Sequence, residues 1–186
     1  ELNAKAAESL LADRIQGRVA DMGSLDFPNE HFDLIWSEGA IYFLGVEAGL
    51  SVWRRLLKPG GHVAFTELCW LISEPPEECA QFFAAEYPAM RDVAAHRAAI
   101  DQTGYDLVDE FTIPASSWWQ DYYGPLESNL EAFRERHAGD PVAESVAEQS
   151  EREMEIHRRY EKAYGYVFFV MRKRADRAGQ DQPDSR

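Results

Sequence analysis

The chain is poor in positive charge. Lys and Arg number 19 against 33 Asp and Glu, a formal net charge of −14 over 186 residues. A field of that sign repels phosphate backbones and anionic headgroups, so no nucleic acid and no membrane surface is expected as a partner. It would draw in a cationic substrate, and it serves equally as an ordinary solvated surface. Cysteine is scarce. With only Cys69 and Cys79 no disulfide framework is implied, and Cys69, inside an apolar run, reads as a small buried side chain. No stretch reaches the roughly 18 apolar residues of a membrane span. The opening Glu1 to Ala7 has neither an initiator methionine nor a charged-then-apolar signal pattern, so a cytoplasmic location is the expectation. His31, His62, His96, His137 and His157 fall at no metal-ligand spacing, and no metal is expected. His157, with Glu153 and Glu161, reads as a charge cluster on a helix face. Gly-x-Ser-x-Gly and phosphate-loop sequences are both missing, which argues against hydrolase and nucleotide-hydrolysing chemistry.

What is present is a globular composition, 45% hydrophobic and 12% aromatic, at a length suited to one domain. Residues 3–13 carry Ala4, Ala7, Leu10 and Leu11 at helical spacing. A short strand is expected at Arg18 to Ala20, then a turn at Pro28 to Glu30. Phe32 to Ser37 is almost continuously apolar, as parallel strands covered on both faces are. An amphipathic helix over 46–57 is stopped by Lys58-Pro59-Gly60-Gly61, where glycine can take a left-handed cap and proline cannot continue. A second buried-type strand follows at His62 to Glu67, and helix, stop and strand together predict a right-handed crossover. Further on, a helical stretch over 74–102 breaks near Pro88, and a strand spans about 106–113. A mostly helical excursion covers 114–163, and a last strand runs from Tyr164 to Arg172. One domain is thus expected over 1–172, with a disordered polar tail at 173–186.

Three segments carry a family resemblance. Ala20 to Pro28 presents an acidic residue at a strand end, then Asp26-Phe27-Pro28. Phe32 to Tyr42 is a strand and the loop after it, and Leu56 to Phe65 contains the Lys-Pro-Gly-Gly turn before a strand. Together they resemble class I (Rossmann-like) S-adenosylmethionine-dependent methyltransferases of the ubiquinone/menaquinone C-methyltransferase-like group, also called methyltransferase type 11. The likeness is strongest over residues 3–70. It implies an α/β fold with strand order 3-2-1-4-5-7-6 and an antiparallel last strand.

The sequence departs from the family at its start. The strand, glycine-rich turn, helix and acid-ended second strand that approach the cofactor have no counterpart. A sheet missing two central strands would leave backbone groups unpaired. The expectation is a parent longer by roughly 50–80 residues, two βα units, and poor cofactor binding by the chain alone.

The resemblance implies S-adenosylmethionine as cofactor. Asp21 would accept from the adenine amino group and Met22 would touch the ring, although Asp21 could instead cap a turn. Ser37, Glu38 and Gly39 would border the methionine portion. Glu38 could act as a base or steer a cationic acceptor, or be a plain strand-end acid; Tyr42 could position the acceptor or pack as core. Glu67 and Trp70 would border the same crevice. Trp118, Trp119, Tyr122 and Tyr123 would form a substrate wall able to hold a ring or, with acids nearby, a cationic nitrogen. A plain lid or a homodimer contact is the alternative for these aromatics. The expected function is methyl transfer to a small-molecule acceptor, with the methylated atom unspecified. The rival is a non-catalytic, partner-binding relative of such enzymes. A nicotinamide-dependent oxidoreductase would share the sheet but not the segments at Asp21-Met22 and 58–61.

Overall fold

The computed structural model describes residues 1–175. Helix α1 spans Leu2–Glu8 and strand β1 spans Phe32–Ser37. After a short 3-10 turn at Ile41–Phe43 come α2, Val46–Arg54, and the long strand β2, Leu57–Trp70. Then follow α3 (Glu77–Glu86), the two-residue β3 (Arg91–Asp92), α4 (Val93–Gln102) and β4 (Tyr105–Thr112). The excursion consists of α5 (Ala115–Trp118), a π-helical turn at Trp119–Tyr123, α6 (Gly124–Arg136) and α7 (Pro141–Tyr160). Strand β5, Tyr164–Lys173, closes the fold.

The sheet runs β1-β2-β5-β4, with β3 pairing β2 off that path. β1 and β2 are parallel, whereas β5 runs antiparallel to both β2 and β4. An α/β layer with an antiparallel last strand is what the sequence predicted. Residues directly opposite one another share a sheet face. Ile35, Val63 and Met171 therefore lie on one side, as do Ser37, Phe65 and Phe169. On that side Val63, Phe65, Phe169 and Met171 are fully buried against Leu50 and Trp53 of α2 and Ala99 and Ile100 of α4. The other side carries Leu34, Trp36 and Phe111, which remain 47%, 59% and 51% exposed. There Trp36 meets Phe168 edge-on and Phe111 stacks on it.

Several expectations are corrected. Arg18 to Ala20 is not a strand: no described strand lies beside it, and extended backbone without a ladder partner has nothing to hold it. The first helix ends at Glu8, not near residue 13, and Leu10 follows it at φ +57°. Lys58 to Gly61 does not cap α2, which ends at Arg54 with Arg55 still in the right-handed helical region. Those four residues instead open β2, where a register irregularity opposite β1 absorbs the turn. Lys173 and Arg174, placed in the expected tail, are held by the fold. Lys173 is buried and donates to the Leu57 carbonyl at 2.8 Å, and Arg174 pairs with Asp101 and Asp106. The remainder of that expected tail, 176–186, lies outside the described residues.

Candidate functional site

The segment between α1 and β1 has no regular structure, so other contacts fix it. The Arg55 guanidinium donates to the carbonyls of Leu25 and Phe27, at 2.7 and 3.0 Å. Trp53 Nε1 donates to the Met22 carbonyl at 3.0 Å. These bonds tie residues 22–27 to α2 and bring Met22 beside the carboxyl end of β1. A groove of about 470 Å³ results, whose lining includes Met22, Leu25, Ser37, Glu38, Ala40 and Trp53. The groove runs along the outer edge of β1, also touching Phe32, Leu34, Ile35 and Trp36, so the irregular segment at Met22 and Leu25 meets both that edge and the bend at the strand's carboxyl end, where open α/β sheets bind ligands.

Asp21, next to the groove-lining Met22 but not itself in the lining, is exposed, and its Oδ1 accepts from the Gly23 amide at 2.8 Å, the turn-capping role weighed above. Among the described residues its second oxygen accepts no such bond. Gly39 sits at φ +56° with nothing within 4 Å of where a Cβ would stand. Its amide donates to Thr66 Oγ1 at 2.9 Å, pinning the bend after β1 onto β2. The donor set fits an adenosyl-sulfonium group: apolar Met22, Leu25 and Trp53 for a ring, and backbone made approachable by an uncrowded glycine.

The excursion builds a second cavity. The wider π turn sets Trp118 in a stack on Tyr123, ring centroids 5.6 Å apart, with Trp119 tilted against Tyr123 at 5.2 Å. Trp118 and Tyr122 line a pocket of about 500 Å³ together with Glu38, Ser117, Asp121, Glu153 and Tyr166. Trp119 and Tyr123 are not part of that lining. Trp119 Nε1 donates to His157 Nδ1 at 3.1 Å, and the fully buried Tyr123 donates its hydroxyl proton to Glu153 Oε1 at 2.8 Å. His157 is 1% exposed, with Trp118 and Tyr123 rings at 4.8 and 5.1 Å. Burial lowers its pKa, and the bond from Trp119 requires a bare Nδ1, so it is a neutral core histidine. The charge-cluster reading of His157 is therefore corrected; Tyr123, placed in the substrate wall by the sequence, is fully buried, and Trp119 is part-buried outside this pocket.

Gly124 makes the five-residue π turn possible. A Cβ there would lie 2.6 Å from the Trp119 carbonyl oxygen. The sequence reading missed this residue, since glycine inside a helical pattern carries no signal of its own unless the turn type is known.

The remaining predicted residues divide. Tyr42 is 44% exposed, stacks near Phe43 and meets Tyr87 edge-on at 6.0 Å. Glu67 is 3% exposed; its Oε1 accepts from Tyr87 Oη and the Leu68 amide, both at 3.0 Å, while Oε2 has no partner. Burial pushes its pKa up. Tyr87, which the sequence did not single out, is thus what links Glu67 to Tyr42. Trp70 lies elsewhere: it lines a separate cleft with Phe83, Tyr87 and Met90, and packs edge-on against Phe83. Glu38 is the one residue common to both the strand-end groove and the excursion pocket, and Trp36 Nε1 donates to its Oε1.

Residues 1–65 match the protein family described as Methyltransferase domain. The chain is 25% identical over 135 residues to phosphoethanolamine N-methyltransferase 1 of Zea mays, covering 72% of this chain and 26% of that protein. It is 34% identical over 77 residues to a probable chloroplastic tocopherol O-methyltransferase of Oryza sativa subsp. japonica, covering 41% and 21%. A methyltransferase from Geobacter sulfurreducens, solved with S-adenosyl-L-homocysteine, superposes with a TM-score of 0.73 at 22% identity, over 92% of this chain and 70% of that one. The chain therefore spans about a quarter or less of the curated relatives it matches. The fold is that of the Rossmann-like methyltransferases.

Proposed function

We propose that the chain forms the strand-end and acceptor side of an S-adenosylmethionine-dependent methyltransferase that acts on a small molecule. The carrying observation is the meeting of two cavities at Glu38, one bordered by Met22, Ser37 and Glu38, the other by aromatic and acidic side chains. Such a pair suits a donor and an acceptor brought end to end, where proximity and orientation supply much of the rate. The maize and rice relatives, named for an N- and an O-methyl transfer, and the homocysteine-bound Geobacter structure support this reading. Within the class, the motif spacing favours the ubiquinone/menaquinone C-methyltransferase-like group, and a cytoplasmic location accords with the sequence. Among the described residues no helix is long and apolar enough to cross a membrane.

In this reading Asp21 offers its free oxygen to the adenine amino group, and Met22 packs on the ring. Ser37, Glu38 and the Gly39 backbone border the methionine portion. The bound donor supplies an electrophilic methyl group; the chain binds, orients and excludes water. Tyr42 positions the acceptor, held by Tyr87, which Glu67 in turn fixes. Trp118 and Tyr122 form the acceptor wall.

A second reading is favoured by the exposed strip of Leu34, Trp36 and Phe111 on one sheet face. Exposed apolar patches often mark contact surfaces, and a non-catalytic, partner-binding relative, or a homodimer, would cover this one. The two readings separate on ligand binding. Calorimetric titration with S-adenosylmethionine gives saturable, if weak, heat under the first. Under the second, no heat appears, and the chain instead associates in sedimentation.

A further inference from the structure

Strand β5 ends on a charge where an apolar row would continue. Residues two apart on a strand share a face, so Lys173 follows Phe169 and Met171 on the side packed under α2 and α4. At 5% exposure it is the only Lys or Arg that is buried among the described residues. An ammonium group has three donors. One is used, on the Leu57 carbonyl at 2.8 Å, and among the described residues the group makes no second bond and no ion pair. A buried charge without a counter-charge is strongly destabilising. Open space adjoins this one: Lys173 lines a cavity of about 330 Å³ with Asn29, Glu30, Ser51, Arg54 and Arg55. The cavity lies at the amino end of β1 and β2, away from the bend after Ser37.

Its other fixed cation is also held by neutral groups. Arg55 donates to the carbonyls of Leu25 and Phe27 and, at 3.3 Å, to Asn29 Oδ1. Among the described residues it makes no ion pair, although acids outnumber bases 33 to 19 and Arg91, Arg97, Arg134 and Arg174 all pair with them. Glu30 is the single acid in the lining; it is exposed and bridges to none of the cations there. Cations gather at the carboxyl end of a helix because its dipole is negative there, but that end counts for only about half a charge. Lys173 and Arg55 by themselves outweigh Glu30 and the end of α2 together. The Asn29 side-chain amide adds a donor that serves no described acceptor.

We propose that this cavity binds a small oxyanion of the phosphate class, seated between Lys173, Asn29 and Arg55. Such a ligand returns a counter-charge to the buried ammonium and makes charge-assisted bonds to its idle donors. A cation would be repelled, and a neutral ligand would leave the charge unpaired. The net charge of −14 disfavours a polyanion, so the ligand is either the free ion or the phosphate group of a small molecule. This site does not rest on the methyltransferase reading. Arg55 also holds the Leu25 carbonyl behind the strand-end groove, so it is left intact in the test.

Inorganic phosphate is titrated into the whole chain near neutral pH and followed amide by amide, with chloride at matched ionic strength as the control. Saturable shifts at Asn29, Glu30, Arg55 and Lys173 that chloride does not reproduce are the expected result. Lys173→Met should weaken phosphate roughly ten-fold or more, as the loss of a bond to a charged group does. Its melting temperature without phosphate should hold, because the lost bond to Leu57 is offset by removal of an unpaired buried charge. Glu30→Gln alters an exposed side chain and should tighten phosphate several-fold, which keeps the proposal testable if Lys173→Met fails to fold. Glycerol 3-phosphate separates the two sources: binding tighter than phosphate assigns an ester, weaker binding the free ion, and either upholds the oxyanion site. Equal response to chloride, absence of saturation, or a phosphate affinity that Glu30→Gln fails to raise overturns it, as does an affinity unmoved in a folded Lys173→Met chain.

Discussion

The two cavities that meet at Glu38 are built by different means. The strand-end groove depends on backbone: the bend at Ser37 to Gly39, its amide bond to Thr66, and a loop pinned through carbonyls by Arg55 and Trp53. The excursion pocket depends on side chains carried by separate helices, fixed by one buried histidine and one π turn. Backbone-built sites tolerate varied side chains, and side-chain-built sites can be retuned without disturbing the sheet. This division suits a constant donor and a changeable acceptor.

The contrast can be broken by substitution. The largest effect is expected from Tyr123→Ala, which empties a fully buried aromatic site and should cost roughly 3–5 kcal/mol. Its half-exposed neighbour variant Tyr122→Ala should change stability by about 0.5 kcal/mol or less. Chemical denaturation of both variants checks whether the two faces of the π turn differ as the structure shows.

Acid should loosen the strand side. His96, buried under the sheet with both ring nitrogens unpartnered, has its pKa lowered to about 4, by burial first and then by Arg91. Between about pH 6.5 and 4 the unfolded chain takes up a proton that the folded chain refuses. Stability should therefore fall as pH drops through that window, by roughly 2–3 kcal/mol. His96→Leu should flatten this limb in urea titrations at pH 7 and pH 4.5. An unchanged limb would mean that another group controls it.

Gly124→Ala should cost about 1–3 kcal/mol, since the added carbon collides with backbone. It should shift amide resonances around Trp118 and Tyr122 while leaving Gly39 in place. Gly39→Ala is the mirror experiment. It imposes about 1 kcal/mol of left-handed strain, and should weaken homocysteine-ligand binding roughly five-fold while leaving the amide resonances of Trp118 and Tyr122 in place. If either glycine variant disturbs both cavities alike, the two are not independently built.

The same division explains what was legible in the sequence. Strands β2 and β5 announce themselves by apolar runs, because burial on a sheet demands them. β1 has the same apolar run, but none of its residues is buried, so the expectation that it is covered on both faces is corrected. β4 mixes apolar residues with three acids and is mostly exposed. The Met22, Ser37 and Glu38 cluster was readable because the motifs lie next to those strands. The expected strand at Arg18 to Ala20 failed because pairing is non-local: its local pattern supplies no partner. Lys58 to Gly61 looked like a helix stop, yet a strand irregularity uses the same residues. In the excursion, nothing local marks Tyr123 as fully buried and Tyr122, beside it, as 52% exposed, because a π turn rather than an α-helical one carries them. Nor could Tyr87 be found, since nothing local marks a phenol that bridges Glu67 and Tyr42. Trp70 was assigned to the acceptor crevice from its place after a strand, but β2 runs on to residue 70 and carries it into another cleft.

The account stands on the convergence of the Asp21-Met22 turn and the bend after Ser37 upon one adenosyl ligand. The direct measurement is a titration of the isotopically labelled chain with S-adenosyl-L-homocysteine, read amide by amide. Saturable shifts at Met22, Glu38 and Gly39, with those of α6 unmoved, are the predicted result. Shifts confined to other parts of the chain, or none at saturating ligand, would contradict it.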